Sequence, residues 1–258
     1  MLELYRVLIL AVVQGIAEFL PISSSGHLVI IGSMLGELEE SATLEIILHA
    51  GTLGSILVVY WRKILDLIRQ DRRVIGLLVI GTLPAVVVGL TIKEAFPWLI
   101  RSPLLAGAML IVTGCLLIAL GRLPKRDGKY LRMGWLGALI VGCFQAFAIL
   151  PGISRSGSTI FGGRLMGLKN EDSVTFSFLL AIPAICGATV LAIKDLLDGS
   201  ATTSALSLWT LLAGAACAFG VGIFALRWLI RWSQEDRLHW FSYWCIPVGI
   251  LIVVDHLT

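Results

Sequence analysis

Six apolar segments leave this 258-residue chain few ways to fold: 43–60, 74–92 and 103–120, then 173–193, 206–230 and 241–256. Each is long enough to cross a bilayer. Lipid offers no partner to backbone N–H and C=O groups, so such segments must be helical. The residue balance, 57% hydrophobic and 14% charged, agrees with a polytopic membrane protein and excludes a soluble domain. No nucleic-acid partner is expected.

Two further apolar stretches are broken by the same phrase. The first, 4–20, runs into Leu20-Pro21-Ile22-Ser23-Ser24-Ser25-Gly26. The second, 133–150, runs into Leu150-Pro151-Gly152-Ile153-Ser154-Arg155-Ser156-Gly157. Short helices are expected after the breaks, at about 27–35 and 159–167. Polar backbone at membrane depth is tolerated only where it is buried in protein or lines a cavity, so the two phrases are expected to face one site. With a shift of 131 residues, Ile22 falls on Ile153, Gly26 on Gly157, Gly32 on Gly163, Gly36 on Gly167, Glu40 on Glu171 and Lys63 on Lys194. Each half is thus one re-entrant helix-loop-helix pair plus three crossings. Three is odd, so the second half enters from the opposite face. The expected fold is all-α: a single membrane domain over 1–258, with repeats at about 1–122 and 130–258 in inverted topology.

Charge orients it. The loops 61–73, 121–132, 168–172 and 231–240 fall on one side and carry thirteen Lys and Arg; the other side carries four, Arg6, Lys93, Arg101 and Lys194. The positive-inside rule places the basic side in the cytoplasm and both termini outside. Trp61, Trp98, Tyr130, Trp232, Trp240 and Trp244 lie near segment ends, as interfacial aromatics do. Cys115, Cys143, Cys186, Cys217 and Cys245 are widely spaced in apolar segments and read as small packing residues. The N-terminal stretch contains Gln14 and Glu18 and lacks a small-residue cleavage site, so no cleavable signal peptide is expected. The Gly-rich face over 214–222 suits close helix packing, within a subunit or between the copies of a homodimer.

The chemistry-bearing residues cluster at the breaks. Gln14 and Glu18 are four apart and share a helix face. An intramembrane carboxylate is costly and needs a partner or a wet cavity. Ser23, Ser24, Ser25 and His27 offer hydroxyls beside an imidazole, the ingredients of a nucleophile and an acid–base group; a hydroxyl could equally cap the following helix. Arg155, among Ser154, Ser156, Gly157, Ser158 and Thr159, is a planar fork suited to phosphate and a candidate counter-charge for Glu18. Two helix N-termini beside the loops could face one anion. His49 reads evenly as a pocket-lining group or a helix–helix hydrogen bond.

The stretch from Gln14 to His27 resembles the first signature of the undecaprenyl-diphosphate phosphatase family, the bacitracin-resistance type, and Pro151 to Gly157 resembles its second. Cys143-Phe144-Gln145 and Phe176-Ser177-Phe178-Leu179-Leu180 resemble it too, so the likeness spans the chain. The resemblance implies an enzyme of the bacterial plasma membrane that removes the terminal phosphate of a C55 polyprenyl diphosphate, recycling the lipid carrier for peptidoglycan. It implies Ser24 as nucleophile with Ser23 beside it, His27 as the acid–base group, and Glu18 as a catalytic carboxylate that holds metal or orients His27. Arg155 would be on the diphosphate, with Ser25, Gly26, Ser154, Ser156, Gly157 and Thr159 around it. A divalent cation, Mg²⁺ or Ca²⁺, would sit on Glu18 and Gln14, and the chamber would open to the outer face. Some members carry Glu where this chain has Gln14. The competing class is a flippase for the lipid phosphate, which would use Arg155 but not need Ser24.

Overall fold

The computed structural model describes residues 2–34, 42–100, 102–199 and 206–257. The expected acidic connection with Glu37, Glu39 and Glu40 lies outside these, as does Arg101. The regular structure among the described residues is helical, apart from one isolated bridge between Gly128 and Leu168.

The first half contains α1 (Leu2–Ala17), α2 (Ser24–Met34), α3 (Ala42–Arg69), α4 (Arg72–Ala95), the short α5 (Pro97–Ile100) and α6 (Pro103–Arg122). The second contains α7 (Trp135–Phe147), α8 (Arg155–Leu165), α9 (Asn170–Leu197), α10 (Leu208–Gln234) and α11 (Ser242–Leu257). Helical segments beginning or ending within a few residues of α3, α4, α6, α9, α10 and α11 are long and apolar enough to cross a membrane, as expected.

The helices outrun the apolar segments. Helix α3 continues to Arg69 and α10 to Gln234, so Trp61, Arg62, Lys63 and Arg231 ride on helix rather than loop. Long basic side chains can reach headgroups from the last turns of a helix, so a change to polar residues need not end it. The half-helices begin earlier than expected, at Ser24 and Arg155, because their caps lie earlier. Ser23 Oγ accepts from Gly26 N at 3.3 Å, and Ser154 Oγ accepts from Gly157 N at 3.1 Å.

Packing crosses between halves. Helix α1 lies on α10 and α7 on α4; α3 meets both α9 and α10, and α6 pairs with α11. Small residues permit these approaches. A Cβ on Gly142 would stand 2.3 Å from Gly81 O, and one on Gly249 would stand 2.6 Å from Gly107 O. Gly214 and Gly222 pack against Val7, Ser55 and Phe19 of the same chain, so they carry no argument for a homodimer. Of the cysteines, Cys245 is a buried packing residue, whereas Cys115, Cys143 and Cys186 are exposed on the outer face of the bundle.

The basic loops gather at one end and are tied together there. Arg73 donates to Leu131 O (3.0 Å) and Met133 O (2.6 Å). Tyr130 N donates to Asp172 Oδ1 at 2.9 Å, which buries an aromatic expected at the interface. Lys125 meets Asp236 at 3.0 Å, and Asn170 also bonds Asp236. Arg164, at 5% exposure, spans Leu168 O and Pro124 O, both at 3.0 Å. At the other end Lys93 and Asp195 tie α4 to α9 at 2.6 Å.

The residue that distinguishes the second phrase from the first explains itself. Gly152 has φ +91°, and a Cβ there would lie 2.0 Å from Ala106 O on α6. No L side chain fits that backbone approach. Gly152→Ala is therefore expected to unfold the protein, read as loss of a monodisperse peak in detergent. Gly167→Ala, at φ +85° in open space, should cost about 1–2 kcal/mol, read by thermal melt.

Candidate active site

Pro21 and Pro151 cannot continue their helices, and each chain turns back through a short loop. The two loops touch. A Cβ on Gly26 would stand 3.1 Å from Gly152 Cα, and one on Gly157 would stand 3.2 Å from Pro21 Cβ. Ser156 Oγ donates to Leu20 O at 3.3 Å. Thr113 of α6 steadies the second loop, donating to Gly152 O (2.8 Å) and accepting from Ser154 N (3.0 Å).

Glu18 is the hub. It sits one residue past α1, and 8% of it is exposed. Arg155 Nη2, from the second loop, reaches its Oε1 at 2.5 Å. Its Oε2 accepts from Ser24 Oγ at 2.8 Å and from Gln14 Nε2 at 3.1 Å. His49 Nε2 of α3 stands 3.9 Å from the same oxygen. A buried carboxylate is tolerable only when so surrounded. The Arg155 guanidinium also lies 5.9 Å over the Phe178 ring, and its other terminal nitrogen, Nη1, is buried without a partner.

Ser24 is half-buried and Ser25 exposed, with Ser25 Oγ 3.3 Å from Ser23 Oγ. Ser23 carries φ +68°, a strained value for a non-glycine residue that makes the abrupt turn into α2. The hydroxyls of the second loop are turned inward. Ser154, Ser156 and Thr159 are each 1% exposed. Ser154 caps α8, and Thr159 Oγ1 bonds Arg155 O (2.8 Å) and Ser177 Oγ (2.5 Å). They hold Arg155 in place, and Arg155 is the side chain of that loop that faces Glu18.

His27 lies differently from the arrangement expected of an acid–base group beside Ser24. Its Nδ1 faces Ser23 O at 2.8 Å, and its Nε2 accepts from Trp244 Nε1 at 2.9 Å. An indole N–H can only donate, so the imidazole is the neutral Nδ1–H form with both nitrogens engaged. Trp244 also stacks on it at an interplanar angle of 13°. A tryptophan placed by sequence at the interface thus stitches α11 to α2. Neither this pairing nor the approach of His49 to Glu18 is legible from spacing, since each joins distant helices.

Comparison with known proteins follows the same residues. A family described as bacitracin resistance protein BacA matches residues 7–251. An undecaprenyl-diphosphatase of Rhodopirellula baltica is 74% identical over 258 residues, covering all of both chains. Undecaprenyl-diphosphatases of Alkaliphilus metalliredigens and Desulfatibacillum aliphaticivorans are 40% and 39% identical, each over 98% of this chain and 98–99% of theirs.

Proposed function

This chain belongs to the bacitracin resistance protein BacA family, and from that premise we propose that it is an undecaprenyl-diphosphatase acting on its lipid substrate inside the membrane. The observation that carries the reading is the pairing of Ser24 with Glu18 opposite Arg155. A hydroxyl bonded to a carboxylate, facing a guanidinium with one unspent donor, is a nucleophile, its base and an anion clamp. A lipid-phosphate transporter has no need of the Ser24–Glu18 pair.

The diphosphate enters between the two loops with its prenyl tail in lipid. Arg155 turns from Glu18 toward the phosphate oxygens and offers them both terminal nitrogens. Ser24 Oγ attacks the terminal phosphorus in line, and its proton passes to Glu18. The bond to the bridging oxygen breaks, Glu18 returns that proton to the leaving oxygen, and polyprenyl monophosphate departs. Glu18, again a carboxylate, then takes a proton from the water that attacks the phosphoserine and delivers it to Ser24 Oγ as inorganic phosphate leaves. Most of the rate enhancement comes from placing these charges in a dry site before reaction. His27 holds the turn through Ser23 O and Trp244, a positioning part rather than a shuttle.

A divalent cation suits the same corner. Gln14 Oε1 is buried without a partner, a carbonyl oxygen beside a carboxylate, which is the donor chemistry of Mg²⁺ or Ca²⁺. Glu18 and Gln14 would hold it, and when bound it would supply positive charge against the diphosphate. Among the described residues no three of His, Cys, Asp and Glu are grouped to cage a metal, so substrate oxygens would complete the shell.

The chain is multi-pass, and we take it to lie in the bacterial plasma membrane with the basic loops in the cytoplasm and both termini outside. The gathering of those loops at one end supports this. We further read 1–122 and 130–258 as inverted repeats with re-entrant pairs at α1–α2 and α7–α8. The exchange of partners, α1 with α10 and α7 with α4, supports it. The chamber is assigned to the outer face.

The test is phosphate release from a C15 or C55 prenyl diphosphate by purified protein in detergent, with and without EDTA. Wild type should release phosphate, EDTA should abolish it, and Ser24→Ala should lower kcat about 10³-fold. Full activity in Ser24→Ala would move the attack to water. No release by folded wild type would sink the phosphatase reading.

A further inference from the structure

The two imidazoles near the site are in opposite states. His27 has no free nitrogen. His49 has one: its Nδ1 faces Glu45 O at 2.9 Å, and a carbonyl can only accept, so Nδ1 carries the proton. That leaves Nε2 directed at Glu18 Oε2, at 3.9 Å, with 26% of the side chain exposed. An imidazole whose Nδ1–H is anchored on a backbone carbonyl while Nε2 looks into a polar site is the arrangement of metal-binding histidines. The same Glu18 oxygen accepts from Gln14 Nε2, and the Oε1 of that amide is buried without a partner.

We propose that His49 is a ligand of the divalent cation, giving this site one nitrogen donor beside Glu18 and Gln14. The proposal rests on the cation assigned above. The spacing allows it. Ligands about 2.1 Å from one octahedral ion lie about 3 Å apart when adjacent and about 4.2 Å when opposite. The Gln14 amide nitrogen and the His49 Nε2 stand 3.1 and 3.9 Å from Glu18 Oε2. Turning the Gln14 amide over brings its oxygen to the nearer position, and the two ends of an amide are interchangeable in shape. The consequence is selectivity. Carboxylate and amide oxygens alone suit hard ions such as Mg²⁺, Ca²⁺ and Mn²⁺, whereas an added imidazole nitrogen shifts preference toward a transition ion such as Mn²⁺ over Ca²⁺. Off the metal, His49 Nε2 is only a neighbour of Glu18 Oε2, at 3.9 Å.

The test uses full-length protein in detergent loaded with Mn²⁺, read by electron spin-echo modulation and by equilibrium binding. Wild type should show a single ¹⁴N coupling, which [¹⁵N]histidine labelling converts to ¹⁵N without any substitution. His49→Gln should lose the coupling and bind Mn²⁺ about tenfold more weakly, with Ca²⁺ affinity changed less than about twofold. Wild type that binds Mn²⁺ without nitrogen coupling, or coupling that survives in His49→Gln, overturns the proposal and leaves the cation on oxygen ligands. Wild type that binds no Mn²⁺ overturns the cation itself. Phosphate release in each case reports separately on the phosphatase.

Discussion

Glu18→Gln lowers kcat/KM by about 10³-fold or more, the largest effect expected of any single substitution here that preserves the fold. One side chain holds four others: Arg155 on one oxygen, Ser24 and Gln14 on the second, and His49 nearby. The amide keeps the shape and an acceptor oxygen but cannot take the Ser24 proton. It also leaves the Arg155 charge uncompensated in a largely buried place, which costs about 3–5 kcal/mol when a buried pair is broken. Phosphate release and thermal melts in the same detergent separate the two effects. A variant that melts lower yet keeps near wild-type kcat would show that Glu18 is structural and that the base is elsewhere. An intact melt with lost turnover gives Glu18 the chemical role.

Arg155→Lys is expected to lower kcat/KM by about 10²-fold. The positive charge remains, so Glu18 keeps a partner, but the fork is lost. Arg155 has one nitrogen on Glu18 at 2.5 Å and the other free, a pair of parallel donors that a single ammonium cannot reproduce. Lysine also alters the cation–π contact with Phe178, whose ring centroid lies 5.9 Å from the Arg155 guanidinium carbon. The loss should appear in KM for the diphosphate as well as in kcat, because the fork serves ground state and transition state alike. Wild-type kinetics in this variant would mean that the phosphate is not gripped in a bidentate way.

Much of this was legible beforehand because lipid simplifies the problem. Apolar length fixes the crossing helices, and the repeated Leu-Pro-Ile-Ser phrase marks the breaks, since proline and serine interrupt an apolar helix in only a few ways. The contact of Glu18 with Arg155, 137 residues apart, could be anticipated because an intramembrane carboxylate must find a counter-charge. Other parts were hidden. The helix starts at Ser24 and Arg155 depend on which of several serines caps, a choice made by backbone angles such as the φ of Ser23. The inward turn of Ser154, Ser156 and Thr159 depends on α6 and α9 supplying Thr113 and Ser177. His27 reads as the acid–base group because it follows the serines in sequence; that its Nε2 accepts from Trp244, 217 residues on, is not legible from spacing. His49 carried no distinguishing neighbours. It gains meaning only where α3 passes the end of α1.

The ties among the basic loops bear on how the protein comes to be threaded. Arg73 and Lys125 belong to the loops with the excess of positive charge and are also rivets that fasten one loop to another in the finished bundle. During insertion such charges bias which way each hairpin enters; afterwards they close the end of the molecule. On the inverted-repeat reading proposed above, the second copy has to settle its orientation before the halves can meet, and the residues that would bias that orientation are partly those that tie the loops together. Moving charges between loops therefore changes topology and closure together, and a mis-threaded chain has no complementary loop to fasten to, so it never assembles the end that would hold it.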